Sequence, residues 1–412
     1  MEKKNILIIN YVFPPYPGIG GRRWAKFAKY LHRRGHNVYV IAAQNPFDYE
    51  STFINDIKEL PKENLFYLPS LYPKIMISPL KSWWDKLKYQ FWYRVLPLFT
   101  DGNYYDRSMF WKRQLQNKIE ELIHSKNIQT IIVSGPPFHY VYYTVQLREK
   151  YPDIKFIVDY RDEWTFNGVH GIDIIGEKRK QKEIEKERYV CGKADVVLSC
   201  HEVILDYLNN LHENKKGLLM QHAYDKDDFG SIKSIGKNDE KSNKDMIISI
   251  FGTIEQSKVN YLGEILRQFE KHRELYKKIN INIYSFNTLL LSSLINYKSK
   301  INFFQNVKPE ILFNEIKLSD FVLVFHPDRQ RDLITTKFPE IFYLQKPILF
   351  FCEKGLVSDF IIKHKIGVHL TEENFNEKFL YALKHPEEFS YKNFPIEEWD
   401  YEYRTNELEK MI

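Results

Sequence analysis

Cysteine is scarce in this chain: Cys191, Cys200 and Cys352 are the whole set, with no CxxC pair and no short metal-type spacing. Neither a disulfide framework nor a structural zinc is expected, and a reducing compartment fits. Glycine and proline are also few, 17 and 18 in 412 residues, which excludes collagenous and largely disordered classes. Neither sign of charge dominates, since 60 Lys plus Arg against 54 Asp plus Glu leaves +6. That is far from a nucleic-acid-binding arm, so no nucleic-acid partner is expected. No stretch approaches the ~18 to 20 consecutive apolar residues that span a bilayer. The apolar run Ile6-Leu7-Ile8-Ile9 ends before Pro14-Pro15 without a small-residue cleavage site, and it reads as a buried strand rather than a signal peptide.

What is present is an ordinary folded composition, 43% hydrophobic and 28% charged, with aromatics raised to 16%. At roughly 150 residues per domain the length favours two domains. Short Ile- and Val-rich runs alternate with longer amphipathic stretches, the pattern of parallel sheets with crossover helices. Strands are predicted at Ile6–Ile9, Asn37–Ala42, Thr130–Ser134, Lys155–Asp159, Asp195–Ser199 and Gly217–Met220. A second series follows at Ile247–Phe251, Ile281–Tyr284, Ile301–Phe304, Phe321–Phe325, Pro347–Phe351 and Gly367–Leu370. The polar, aromatic-free stretch between the two series predicts an interdomain linker. The expected organisation is an N-terminal domain over 1–230, a linker over 231–245, a C-terminal domain over 246–385 and a helical tail over 386–412 packing back toward the N-terminal domain. Both domains are expected to be α/β, with Rossmann-like doubly wound parallel sheets whose strand ends face a ligand cleft.

The first strand runs into NYVFPPYPGIGGRRW, where Gly18, Gly20 and Gly21 precede a helix. A dinucleotide fingerprint would need its third glycine at Arg23, whose side chain would block close packing of helix on strand. The second strand also ends in VIAAQNP, without an acid for a ribose diol. A glycine-rich strand-to-helix loop remains, suited by its backbone N–H groups to an anionic group such as a diphosphate, or else a tight turn with no ligand.

Several segments together resemble the GT-B glycosyltransferases of family four, in particular the bacterial capsule, O-antigen and exopolysaccharide type. The opening strand, glycine loop and first helix carry part of the likeness. IIVSGPPFH, FIVDYRDEW and LLMQHAYDKDDF are similar to that family's SxPP, DFRDxW and NG-x-D-x-x-x-F segments, with His222 and Ala223 in place of Asn and Gly. ISIFGTIEQSK is similar to the segment whose two basic residues face the donor diphosphate; Lys258 takes the Lys position and Thr253 stands where many members carry Arg. LITTKFPEIFYLQKPILFF is similar to the PxKxFEYLAxGKPI segment, with Glu340 at the Glu that holds the ribose hydroxyls. Asp332, eight residues earlier, stands at the first Glu of that family's E-x7-E pattern.

The resemblance implies a retaining transferase that moves a sugar from a UDP- or GDP-linked donor to a lipid-linked or polysaccharide acceptor, with no cofactor and no metal. It implies catalytic roles for Lys337, Lys258, Asp332, His139 and Asp162, and donor contacts from Gly20, Gly21, Thr253, Thr335, Thr336 and Glu340. Read from the residues alone, Glu340 is either a ribose ligand or a solvated first-turn acid balancing a helix dipole. His139 either bonds a sugar or serves the fold, Asp162 either orients an acceptor or pairs with Arg161, and His222 reads as a hinge residue. Two alternatives stay open: a GT-B sugar-nucleotide epimerase, and a catalytically degenerate sugar-binding or assembly partner.

The aromatic residues cluster at Leu80–Val95, LKSWWDKLKYQFWYRV. At the helical period Leu80, Trp83, Trp84, Leu87, Phe91 and Val95 share a face, flanked by Lys81, Lys86 and Lys88 with Arg94 just inside one edge. Such a helix is either an ordinary core helix or one that lies in an anionic membrane interface. The second reading makes the chain a cytoplasmic, peripheral protein of the inner membrane face, with Trp83, Trp84, Lys86, Lys88 and Phe91 at the lipid.

Overall fold

The computed structural model describes residues 2–166, 168, 170–211, 217–230, 245–252, 254, 256–271, 279–285, 301–305 and 307–412. Apart from Asp245, the linker expected over 231–245 lies outside the described residues. The chain divides into two compact units, Met1–Gln221 with Arg404–Ile412, and His222–Tyr403.

In the first unit the strands are β1 (Asn5–Ile9), β2 (Asn37–Ala43), β3 (Leu65–Leu68), β4 (Thr130–Gly135), β5 (Lys155–Tyr160), β6 (Val196–Ser199) and β7 (Gly217–Leu219). They form one seven-stranded sheet in the order β3-β2-β1-β4-β5-β6-β7, and every pair is parallel. The crossovers carry α1 (Arg22–Arg33), α2 (Trp83–Val95), α3 (Lys112–Lys126), α4 (His139–Val145), α5 (Glu177–Lys193) and α6 (Glu202–Leu211). Leu7, Ile9, Ile131, Val133, Phe156 and Val158 are buried because helices cover the sheet. β3 escapes the sequence pattern: LFYL is a short edge strand of four residues, only half-buried.

The second unit repeats the plan with β8 (Met246–Phe251), β9 (Ile279–Ser285), β10 (Ile301–Gln305), β11 (Phe321–Phe325), β12 (Ile348–Phe351) and β13 (Gly367–Leu370). Their order is β10-β9-β8-β11-β12-β13, again parallel. Its helices are α7 (Gln256–Lys271), α8 (Pro309–Leu318), α9 (Lys337–Leu344), α10 (Leu356–Lys363) and α11 (Phe375–Lys384), and α12 (Tyr401–Glu409) ends the chain. In each sheet the chain reverses its winding beside the first strand, between β1 and β4 and between β8 and β11. Those are the switch points where doubly wound sheets open a crevice at their carboxyl ends.

The division at Gln221 differs from the boundary expected at 230. Tyr224 N donates to Trp399 O and Tyr401 N to Tyr224 O. The Phe229 ring lies 4.2 Å from that of Tyr343 and 4.5 Å from that of Phe313. Aromatic packing and a backbone bridge therefore hold Tyr224–Phe229 to the second unit.

Arg23 also behaves differently from the expectation that it blocks packing. It is buried, its Nε and Nη2 donate to Asp159, and its guanidinium also donates to the carbonyls of Met220 and Gln221. Asp159 additionally accepts from Trp24 Nε1 and Ser134 Oγ, both at 2.7 Å. A buried charge persists only where its partners are this complete. In the first unit, then, an internal ion pair braces α1 against the ends of β4 and β5.

Candidate functional site

In the second unit the switch point holds a small hollow of about 10 Å³ lined by Ile250, Phe251, Ile254, Leu323, Val324, Phe325 and Lys337. Gly252 follows β8 with φ of +102°, a conformation that L side chains rarely adopt. A Cβ on Gly252 would lie 2.4 Å from Lys337 Cε and 2.8 Å from Nζ, so the lysine stem runs directly over the glycine. Lys337 opens α9, and the helix start has no side-chain cap. Thr335 Oγ1 is buried without a hydrogen-bond partner. Thr336 sits at the cap position and Glu340 in the first turn, both half-buried. One helix start thus gathers a cation, backbone N–H groups, a threonine hydroxyl with open capacity and a carboxylate one turn on. Chemically that set offers what an anion beside a diol requires: donors and a cation for the one, an acceptor for the other.

Asp332, which the resemblance puts in a catalytic role, makes two contacts within the fold. Its Oδ1 accepts from Leu356 N at 2.8 Å, holding the start of α10, and its Oδ2 lies 3.6 Å from Arg331 Nε. A helix N-terminus attracts a short carboxylate, and Asp332 is committed there. His326 was not singled out by the sequence. It follows β11, is buried, pairs its Nδ1 with Gln330 O at 3.0 Å, and packs edge-on against Phe338 and Phe350. The histidine shapes the turn that leads to α9. Thr253 lies outside the described residues, as does the side chain of Lys258.

The other expected residues lie in the first unit. Gly21 makes a close backbone approach, for a Cβ there would fall 2.1 Å from Val12 O. The Arg161 guanidinium lies against Gly20 and donates to its carbonyl. Asp162, partly exposed beyond β5, accepts from Arg161 Nη2 at 3.2 Å and lies 3.8 Å from His170 Nε2. Burial, opposed in part by Asp162, lowers the His170 pKa. His201 nearby is pushed down to about 4 by burial.

His139 does not face a ligand crevice. It is 1% exposed, and its Nε2 lies 2.9 Å from Glu183 Oε1. Burial opposes its charge, but Glu183 and Asp106 together outweigh it and raise the His139 pKa. Glu183 further accepts from Asn103 N, Lys186 Nζ and Trp164 Nε1. The histidine belongs to a buried charge network that ties α4 and α5 to the loop at Asn103.

No family model and no curated protein matches the chain. Solved structures do match along nearly its whole length. A sucrose-phosphate synthase from Thermosynechococcus elongatus is 12% identical, covering 99% of this chain and 98% of that one at a TM-score of 0.65. The catalytic domain of starch synthase IV from Arabidopsis thaliana, bound to ADP and acarbose, is 12% identical over 100% and 99% at 0.55. A UDP-N-acetylglucosamine 2-epimerase is 12% identical over 94% and 89% at 0.50. The fold is therefore GT-B, as the sequence resemblance implies.

Proposed function

We propose that the chain is a retaining glycosyltransferase of cell-surface glycan assembly. It takes a nucleoside diphosphate sugar, UDP- or GDP-linked, and passes the sugar to a lipid-linked or polysaccharide acceptor at the cytoplasmic membrane face. The observation that carries the reading is the start of α9, where Lys337 crosses Gly252 beside Thr335, Thr336 and Glu340.

Glu340 would accept both ribose hydroxyls of the donor. Lys337, the Thr335 hydroxyl and the N–H groups of α9 would hold the diphosphate, and Lys258 would add a second cation. As the bond from the anomeric carbon to the diphosphate oxygen breaks, negative charge grows on the departing group, and a fixed cation there lowers the barrier. The acceptor hydroxyl oxygen forms the new bond as the bond to the diphosphate breaks, and its proton passes to the departing phosphate. No step calls for a metal.

Incubating the protein with a panel of UDP- and GDP-sugars, with and without lipid-linked acceptors, tests the reading. Acceptor-dependent nucleotide release with a glycosylated product of retained configuration is expected. Nucleotide release with an epimerised free sugar and no acceptor would instead assign the epimerase reading, since an epimerase shares the fold. Binding without turnover across the panel would assign a degenerate sugar-binding partner.

A further inference from the structure

α2 carries no buried residue. The ring centroids of Trp83 and Trp84 lie 3.9 Å apart, and the two side chains are 60% and 58% exposed, with Leu87 and Phe91 exposed on the same face. The core-helix reading of this segment does not hold. Leu98 and Phe99, just past the helix, are exposed as well. Eight of the twenty large apolar side chains exposed among the described residues lie in the one stretch from Leu80 to Phe99. One small core underlies it, built from Tyr72, Leu96, Tyr104, Met109, Ile172 and Ile175, with Trp92 of α2 packed partly into it.

The charge pattern identifies the occupant. Lys81, Lys86, Lys88 and Arg94 are exposed, and among the described residues none of them forms an ion pair. Asp85, the one acid of α2, is engaged in the capping box with Ser82 and also accepts from Lys81 N. Tryptophans beside unpaired cations suit a lipid interface, rings at the headgroup boundary and ammonium groups at the phosphates. A second copy of this chain would set these like charges against each other. The mount is rigid, because Arg179 of α5 donates to the carbonyls of Pro97, Thr100 and Gly102, and Glu183 accepts from Asn103 N.

We propose that this face, α2 together with Leu98 and Phe99, is a docking surface for an anionic lipid leaflet. It deepens the transferase reading by naming the surface that delivers the protein to a lipid-linked acceptor, and it rests on that reading only for the acceptor.

The test is flotation of the full chain with phosphatidylcholine vesicles, with and without one-third phosphatidylglycerol, at low and physiological salt. Binding to the anionic vesicles, weakened by salt, is expected. Replacing Lys81, Lys86 and Lys88 with Gln should weaken partitioning on the order of a hundredfold, and Trp83→Ser with Trp84→Ser should weaken it about tenfold or more while leaving the melting temperature and nucleotide binding unchanged. No flotation by the unaltered chain overturns the proposal, as does equal binding to neutral vesicles, or a dimer in solution that the Trp substitutions dissociate. Vesicle binding without sugar transfer would defeat the transferase reading and leave the surface standing; transfer to a soluble acceptor without vesicle binding would do the reverse.

Discussion

Lys337 lies across Gly252, its Cε where a Cβ on that residue would come within 2.4 Å. The left-handed backbone at Gly252 and the lysine stem thus share one requirement, the absence of a side chain. Gly252→Ala should both strain the loop, by on the order of 1 kcal/mol, and push Lys337 aside. Transfer rate and nucleotide binding should fall well beyond what the small loss of stability explains. A variant with a lowered melting temperature but full binding and turnover would show that the lysine position is immaterial.

Glu340→Gln keeps the shape of the first turn of α9 and removes the charge with which the carboxylate would accept two hydroxyls. Donor affinity measured by calorimetry should drop by roughly 1.5 to 3 kcal/mol, with the fold intact by circular dichroism. Equal affinity for a ribose and a 2′-deoxyribose donor in the unaltered protein would remove the assignment at its root.

Arg23 and Asp159 form a buried pair, 2% and 0% exposed, at 3.2 Å. Asp159→Ala would leave the guanidinium buried and uncompensated, and denaturant unfolding should show a loss of about 3 to 5 kcal/mol. Replacing both, with Met at 23 and Ala at 159, should recover part of that loss, because the uncompensated charge is gone. A double variant as unstable as the single one would mean that the bonds from Arg23 to Met220 and Gln221 matter more than the ion pair.

Glu187 is the acid to watch with pH. Burial pushes its carboxyl up to about 8, against a hydrogen bond from Thr165, so it is protonated in the folded protein at neutral pH. The unfolded chain ionises it from about 4.5 upward. Stability from this group is therefore complete below that value and falls as pH rises toward 8, by about 1.4 kcal/mol per pH unit. His139, also raised, slopes the same way above its ordinary range. Glu187→Gln should flatten the dependence between pH 5 and 8 and stabilise the protein at pH 8, read from urea midpoints at pH 5, 6.5 and 8. Parallel curves for the two proteins would place the carboxyl's ionisation elsewhere.

What the sequence determined by itself is local and periodic. Runs such as Ile6–Ile9 and Phe321–Phe325 read as buried strands because apolar continuity is visible without knowing a partner. The Lys337–Glu340 helix start was legible through its likeness to a family segment, which is also confined to a few consecutive residues. Only the tertiary structure decided which neighbours each side chain meets. Arg23 is a brace because Asp159 lies opposite, a relation between β5 and α1 that spacing cannot display. His139 is enclosed by Glu183 of α5, and Asp332 is drawn to the start of α10, though both residue types suit a cleft equally well. The same division governs α2. Its amphipathic period is written in the chain, but a period says only that one face is apolar; whether that face is covered depends on what packs against it, and in this fold nothing among the described residues buries it.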